Sequence, residues 1–318
     1  MRRPGRVNHT TLNLAHTAVL FGGMLLVLGL SGYVLAGGQG LFAALILIVL
    51  LLFLAPRVPP RVLLQMYGAT PLSPAAAPTL DALLRELSRR AGLPRVPQLY
   101  YVPTQLTNAF AVGSPGDAAI GVTDGLLRRL TLRELAGVLA HEVAHIRHND
   151  LWLMNFADVL SRITNLLAQA GQFLLLLNLP LLLLGEATVS WVAILLLIAA
   201  PLVNGLLQLA LSRRREYDAD RGAVALTGDP AGLASALLKL ERYTAALLRQ
   251  VIIPGHGVPQ PSILRTHPPT EERIRRLEQM AAEQWAGLLT GSEAFPELIG
   301  AFVPVVRRPR YHVTSLWY

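Results

Sequence analysis

Long apolar segments constrain the possible folds of this chain more than any other feature. Two lie near the N-terminus, at residues 14–36 and 39–55, and a third apolar region covers residues 166–211. A helix needs about 20 apolar residues to cross the hydrocarbon core of a bilayer, so the third region is long enough for two crossings. Hydrophobic residues make up 53% of the 318 residues, and the mean hydropathy is +0.45, which is too apolar for an ordinary soluble enzyme. The sequence predicts a mainly α-helical membrane protein with two to four transmembrane helices.

Basic residues flank these apolar segments and are absent from their interiors. The flanking residues are Arg2, Arg3, Arg6, Arg57, Arg61 and Arg213 to Arg215. Under the positive-inside rule, they place the N-terminus, both polar regions and the C-terminus in the cytoplasm, in a multi-pass protein of the inner or plasma membrane. The net charge of +8 follows from the same distribution. Basic runs interleaved with aromatic residues do not occur, so we expect a lipid bilayer and no nucleic acid among the partners.

Two alternatives remain open for the apolar segments. The arginine-rich start, the apolar core and the small residues near Ala36 also fit a cleaved signal peptide, although a second apolar segment follows at once and the first is long for a signal core. The region 166–211 could instead form one hairpin that is buried in the protein or lies in the membrane interface. We favour two spans, joined near residues 185–188.

The sequence His-Glu-Val-Ala-His at residues 141–145 has the spacing of a zinc-binding helix. Residues four apart on a helix lie on one face, so His141 and His145 can bind a single ion. Glu142, about a quarter turn away, can accept a proton from a water that the metal activates. Matches to a five-residue motif also arise by chance. Here, however, the surrounding residues are small and apolar. Burying two histidines and a glutamate among them would be costly unless they bound a partner such as a metal ion.

Two neighbouring features narrow the class of metal site. His148 lies on the same face one turn further on, about 5.4 Å away, so an ion between His141 and His145 cannot also reach it. We expect it at the helix C-terminus, where the helix dipole favours a histidine. The metzincin pattern requires Gly at position 148 and His at the position of Leu151, so that class is excluded. Cysteine is absent, which excludes thiolate ligands and disulfides.

A second pair of acidic residues follows the third apolar region. Glu216 and Asp220 are four apart and share a helix face. Alone, they could form a solvated charged face. With the upstream motif, Glu216 can be the third zinc ligand, and Asp220 can hydrogen-bond the far nitrogen of a ligand histidine. Three protein ligands leave a fourth position open, as in catalytic zinc sites, so the sequence predicts one Zn²⁺ per chain in a gluzincin-like α+β metallopeptidase domain with a small β-sheet.

Local patterns outside the apolar segments predict helices near residues 80–91, 131–148, 231–249 and 270–282, with a capping box of Thr131 and Glu134 at the start of the second. They predict strands near residues 98–102, 108–113 and 118–122. The expected organisation is two N-terminal transmembrane helices (1–56), the first half of the catalytic domain (57–163), an apolar hairpin (164–211), the second half of the catalytic domain (212–282) and an extension of unknown role (283–318).

The order of these features resembles the HtpX-type membrane-integrated zinc metalloproteases, relatives of the CAAX prenyl endopeptidases. The resemblance extends from the first apolar segment to about Gln279. Besides the two metal motifs, the matching segments are Asn108-Ala109-Phe110, Ala219-Asp220-Arg221-Gly222-Ala223, Thr227-Gly228-Asp229-Pro230 and Thr266-His267-Pro268-Pro269-Thr270-Glu271-Glu272-Arg273-Ile274. Together these motifs are highly specific.

The resemblance implies an endopeptidase that acts on membrane or misfolded proteins in protein quality control. It implies that Asn108, Ala109, Phe110 and Ala111 form an edge strand that binds substrate backbone. It also implies that His267 and Arg273 lie near the metal and act with Glu142 in catalysis. From the residues alone, His267 would be a loop histidine and Arg273 a charge on a solvated helix.

Three other functions fit the sequence less well. A CAAX-type prenyl protease is expected to have more spans than the four at most that this chain offers. A catalytically silent zinc or partner-binding protein would not need Glu142. A transporter would be expected to carry charges inside its spans, and the predicted spans carry none outside the connection at residues 185–188.

The topology can be tested with single cysteines, because the chain has none of its own. In intact cells, a cysteine at Gln39 or Thr188 should react with an impermeant thiol reagent, and one at Ser114 or Ser262 should not. Labelling at Ser114 from outside would show the opposite orientation. Protection at Thr188 alone would show that the region 166–211 does not span.

Overall fold

The computed structural model describes residues 9–54, 60–184, 191–251 and 270–290. The helices in this part of the chain are α1 (His9–Leu54), α2 (Pro60–Met66), α3 (Pro78–Ala91), α4 (Asp124–Arg129), α5 (Leu132–Arg147), α6 (Asp150–Leu183), α7 (Trp191–Thr227), α8 (Pro230–Val251) and α9 (Thr270–Thr290). The strands are β1 (Thr70–Pro71), β2 (Gln98–Val102), β3 (Ala109–Ser114) and β4 (Asp117–Thr123). The arginines at positions 2, 3, 6 and 57 lie outside the described residues.

The first helix is a hairpin of two arms. Ala36 and Gly37 leave helical geometry, and Gly37 has a positive φ of 58° that glycine adopts at no steric cost. Past this break the arms touch closely, since a Cβ on Gly32 would lie 2.6 Å from the carbonyl oxygen of Gly40. The two apolar segments predicted before and after residues 37–38 therefore fold back on each other.

The helices α6 and α7 form a second antiparallel pair. The Ser161 hydroxyl donates to Gln208 Oε1 at 2.6 Å, and Asn204 Nδ2 donates to Thr164 Oγ1 at 3.3 Å. Positions rise along α6 as they fall along α7, so the described parts of the region 166–211 form two antiparallel helices. The expected domain boundaries at 163 and 211 fall inside these helices, which continue toward the catalytic region at both ends. A shared apolar cluster joins the pair to α1 through Met24, Leu28, Ile48, Phe156, Leu160 and Leu211.

Large apolar side chains cover the outward faces of these helices. Exposed examples are Leu26, Phe42, Leu166, Phe173, Leu195, Leu202 and Leu206, each more than half exposed. Such a continuous apolar surface is unfavourable in water and suits a bilayer. By length and composition, the stretches Ala15–Leu51 and Ile194–Thr227 can each cross a membrane. The chain is thus a mainly α-helical membrane protein that also carries a small β-sheet.

The sheet has four strands in the order β1-β2-β4-β3. Strands β2 and β4 are parallel, whereas β3 is antiparallel to β4, with Ala111 opposite Ile120 and Ala109 opposite Val122. The predicted strands are found within a residue or two, and the two-residue β1 was not predicted. Strand β3 lies at the edge of the sheet, on the side where α5 packs.

A buried carboxylate fixes the start of α5. Thr131 caps the helix, and Glu134 completes the predicted capping box by accepting from the Thr131 N–H at 2.8 Å. Glu134 also accepts from Ser235 Oγ at 2.6 Å and Lys239 Nζ at 2.8 Å, both on α8. Burial alone would raise the pKa of Glu134, but the hydrogen bonds from Lys239, Ser235 and Thr131 lower it from 4.5 to about 2. One residue therefore links the start of the motif helix to α8.

We predict that Glu134→Ala lowers stability by about 1–3 kcal/mol, because it leaves several buried donors without an acceptor. The measurement is thermal unfolding in detergent. The pKa is lowered on folding, so the contribution is complete above pH 4.5 and is lost as the pH falls toward 2. The difference in stability between wild type and Glu134→Ala should therefore become smaller as the pH falls over that range. The control is Glu86→Ala, whose paired carboxylate is 41% exposed and should matter little. Equal effects of the two substitutions would contradict this assignment.

Candidate active site

Two histidines on α5 face the same point. His141 and His145 are one turn apart, their rings are perpendicular, and their Nε2 atoms lie 3.1 Å from each other. His141 is buried at 6% exposure. Two ring nitrogens this close, both directed to one position, are suited to share a cation.

The third predicted ligand comes from α7. Glu216 Oε2 lies 3.4 Å from His141 Nε2, and Glu216 Oε1 lies 3.7 Å from His145 Nε2. Ligands about 2.0–2.1 Å from a tetrahedral zinc ion are separated from one another by about 3.3–3.4 Å, which is close to these distances. Among the described residues, these three form the one group of His, Asp and Glu side chains with ligand atoms all within 4.8 Å of each other.

Small residues allow α5 and α7 to approach closely enough for this geometry. A Cβ on Gly222 would lie 2.7 Å from the Cβ of Ala144, so the two helices touch almost backbone to backbone. Ala219 and Ala223 are fully buried in the same contact region. The segment around Glu216 thus supplies the carboxylate and also the small residues that let α7 bring it close to the histidines.

Asp220 and Arg273 hold the first histidine and the glutamate. Asp220 Oδ1 lies 3.0 Å from His141 Nδ1, as the spacing predicted. Arg273 on α9 donates to both oxygens of Asp220, at 2.8 and 2.6 Å, and its Nη1 lies 3.0 Å from Glu216 Oε2. Arg273 is only 5% exposed, and it lies beside the proposed ligands as the resemblance implied, not on a solvated face.

The electrostatics of the cluster favour positive charge. Burial lowers the pKa of His141, but hydrogen bonds to Asp220 and Glu216 outweigh it and raise the pKa from 6.5 to about 10. Burial also lowers the pKa of Arg273, and its attraction to Asp220 and Glu216 raises it overall. A buried set of carboxylates that stabilises cations to this extent can also accept a metal ion.

Glu142 points toward the edge strand. Its Oε2 accepts a hydrogen bond of 2.9 Å from the Ala111 N–H, while Ala111 pairs in register with Ile120 on the other side. Alternate residues of an antiparallel strand direct their backbone groups to the same side, so Ala109 faces outward with Ala111. Asn108 precedes the strand and is held by Thr123 Oγ1, at 3.0 Å from its N–H and 2.8 Å from its carbonyl oxygen. Phe110 is buried beneath the sheet.

His148 is the C-cap of α5, as expected. His267 lies outside the described residues, so its predicted place near the metal stays a prediction.

Two further residues beside His145, Asp150 and Arg215, were not predicted from the sequence. Asp150 Oδ2 lies 2.9 Å from His145 Nδ1, and Arg215 forms an ion pair with the other oxygen. Helical spacing gives no reason to pair residues 145 and 150, because positions five apart diverge by about 140° around a straight helix. The dipeptide Asn149-Asp150 was the available signal, since Asn tolerates the left-handed conformation that reverses a chain.

Comparison with known proteins gives the family of this chain. Residues 74–281 match peptidase family M48. A protease HtpX homolog of Methylibium petroleiphilum is 34% identical over 287 residues, covering 86% of this chain and 99% of the relative. One of Burkholderia ambifaria is 35% identical over 289 residues, covering 85% and 97%.

A solved structure, that of S. mikatae Ste24p, aligns with 20% identity and a TM-score of 0.45 over 85% of this chain and 65% of that one. The family assignment rests on the sequence matches, which contain the two metal motifs. This chain therefore belongs to peptidase family M48 as an HtpX-type membrane protease.

Proposed function

We propose that this protein is a zinc metalloendopeptidase that binds one zinc ion through His141, His145 and Glu216. The observation that carries the proposal is the convergence of these three side chains: the two Nε2 atoms lie 3.1 Å apart, and each lies 3.4 or 3.7 Å from one of the two Glu216 oxygens. Three protein ligands leave the fourth tetrahedral position for substrate or water, as in catalytic rather than structural zinc sites. Membership of family M48, whose enzymes are zinc metallopeptidases, supports the choice of metal.

Zinc, when bound, supplies a Lewis acid that polarises the substrate carbonyl and acidifies water. Glu142 is the general base: it accepts a proton from the attacking water and delivers it to the leaving amine. The Ala111 N–H, 2.9 Å from its Oε2, orients this carboxylate beside the edge strand. Attack by water requires no covalent intermediate with the enzyme.

Three further side chains, Arg273, His267 and Asp220, complete the proposed site. Arg273 holds Glu216 and Asp220 together and keeps the third ligand directed at the ion. His267, by resemblance, hydrogen-bonds the oxyanion that develops on the substrate carbonyl. Asp220 accepts from His141 Nδ1–H, which leaves His141 Nε2 free to bind the metal.

Strand β3 is the proposed site for substrate backbone. It is the edge strand of the sheet, and the outward groups of Ala109 and Ala111 lie on the side of Glu142. An extended peptide that adds to this edge would carry its scissile bond past the catalytic carboxylate. Asn108 and Phe110 hold the strand in place, the first through Thr123 and the second through packing beneath the sheet.

We propose membrane proteins, including damaged or misassembled ones, as substrates, and the cytoplasmic side of the cell membrane as the site of cleavage. The proposal follows from the arginine distribution and from the direct continuity of the ligand-bearing α7 with an apolar stretch that can cross a bilayer. With both arms of α1 and the pair α6–α7 spanning, the protein has four transmembrane helices. Quality control as the role rests on the HtpX resemblance.

The general-base assignment predicts that Glu142→Gln retains stoichiometric zinc and lowers peptide cleavage by at least about 10²–10⁴-fold, because the ligands remain and the base is lost. Metal analysis and a casein cleavage assay on purified protein in detergent measure both properties. Glu86→Gln, on the exposed face of α3, is the matched control and should cleave at the wild-type rate. Full activity of Glu142→Gln would exclude Glu142 as the base, and a chelator that leaves wild-type cleavage unchanged would exclude metal dependence.

The ligand assignment predicts that Glu216→Ala loses most of its bound zinc and its cleavage activity, because two histidines alone hold the ion weakly. Metal content after dialysis, with thermal unfolding as a check on folding, measures the effect. If the folded variant keeps one zinc per chain, the third ligand lies elsewhere and His267 becomes the next candidate.

A further inference from the structure

A second carboxylate–arginine pair lies on the far side of the proposed metal position. Asp150 is 1% exposed, and its Oδ2 lies 2.9 Å from His145 Nδ1. Its Oδ1 forms an ion pair with Arg215, whose side chain is 12% exposed. This arrangement repeats around His145 the one that Asp220 and Arg273 make around His141.

A left-handed residue makes the Asp150 contact possible. Asn149 has a φ of 56° between α5 and α6, and its N–H donates to the Ile146 carbonyl at 3.0 Å. Without this break, residues 145 and 150 would point about 140° apart around one helix. The turn instead places the first residue of α6 beside the last ligand of α5.

Arg215 is itself fixed from α7. Its Nη1 lies 3.6 Å from Asp218 Oδ2, and Asp218 in turn pairs with Arg221 at 2.5 Å. Arg215 also immediately precedes Glu216, the proposed third ligand. The carboxylate on α6 is therefore tied to the helix that carries the third ligand.

We propose that Asp150, locked by Arg215, is a positioning residue for His145; this inference rests on the proposed zinc site. Asp150 accepts a hydrogen bond from His145 Nδ1–H, which fixes the tautomer and directs the Nε2 lone pair to the ion. The pair joins α6 to α7, so the orientation of one ligand depends on how the two helices of the apolar hairpin are packed. Loss of such an outer partner typically weakens metal binding about 10–100-fold.

The test measures zinc affinity by chelator competition on the full-length protein in detergent. Asp150→Ala should raise the zinc Kd about 10–100-fold, and Asp150→Asn, which keeps one acceptor oxygen, should raise it less. Asp158→Ala is the control, because it removes a carboxylate from the same helix at a position where the partner is Arg162 on the exposed face. Its Kd should stay within about threefold of wild type.

Cobalt substitution adds a readout that general destabilisation does not move. The visible absorption bands of the Co²⁺ protein should shift in Asp150→Ala and stay unchanged in Asp158→Ala, because only the first changes the donor strength and orientation of a ligand. Arg215→Gln should weaken zinc binding in the wild-type background and have little further effect with Asp150→Ala, since it acts through Asp150.

The outcomes separate this inference from the proposed function. If wild type binds no zinc, both are wrong. If wild type binds zinc and neither Asp150→Ala nor Asp150→Asn weakens binding more than Asp158→Ala does, the zinc site stands and the positioning role is wrong. If Asp150→Ala does not fold, Asp150→Asn decides alone: a Kd equal to that of wild type, with unchanged cobalt bands, overturns the role.

Discussion

The contact between α5 and α7 is the interaction on which the rest of the structure depends. His141, two carboxylates and an arginine are buried there, with His145 partly buried beside them, and a buried charge left unpaired would cost several kcal/mol. Pairing removes most of that cost: Glu216 and Asp220 face His141, and Arg273 spans both carboxylates. The contact requires small residues such as Gly222, which admit the helix backbones to close range. Burial, charge and packing therefore select the same arrangement.

This contact also ties the catalytic region to the membrane helices. Helix α7 runs without a break from Trp191 to Thr227, and the 26 residues up to Glu216 extend about 39 Å at 1.5 Å per residue. A bilayer core is about 30 Å thick, so Glu216, the proposed third ligand, lies just beyond a length sufficient to cross it. Because α6 leaves the site and α7 returns to it, the hairpin must cross twice or not at all. A site at the membrane surface follows in the first case.

The sheet presents its edge strand, β3, beside Glu142. Strand β3 directs Ala109 and Ala111 outward, and the one outward N–H with a described partner donates to Glu142. Glu142, the proposed base, is thereby held beside the edge where an extended substrate would pair. An edge of this kind pairs with backbone groups, so its binding does not depend on the identity of the partner's side chains.

The sequence by itself determined whatever depends on local periodicity. The i, i+4 spacing fixed the pairs His141–His145 and Glu216–Asp220, the pattern at Thr131 fixed the helix start, and apolar length fixed the membrane helices. Only the tertiary structure decided how α6 and α7 return to α5. The Asp150–His145 contact depends on that packing, because it needs a left-handed Asn149 and the ion pair of Asp150 with Arg215, 65 positions after Asp150. Such contacts are set by packing between distant segments, so local sequence periodicity does not predict them.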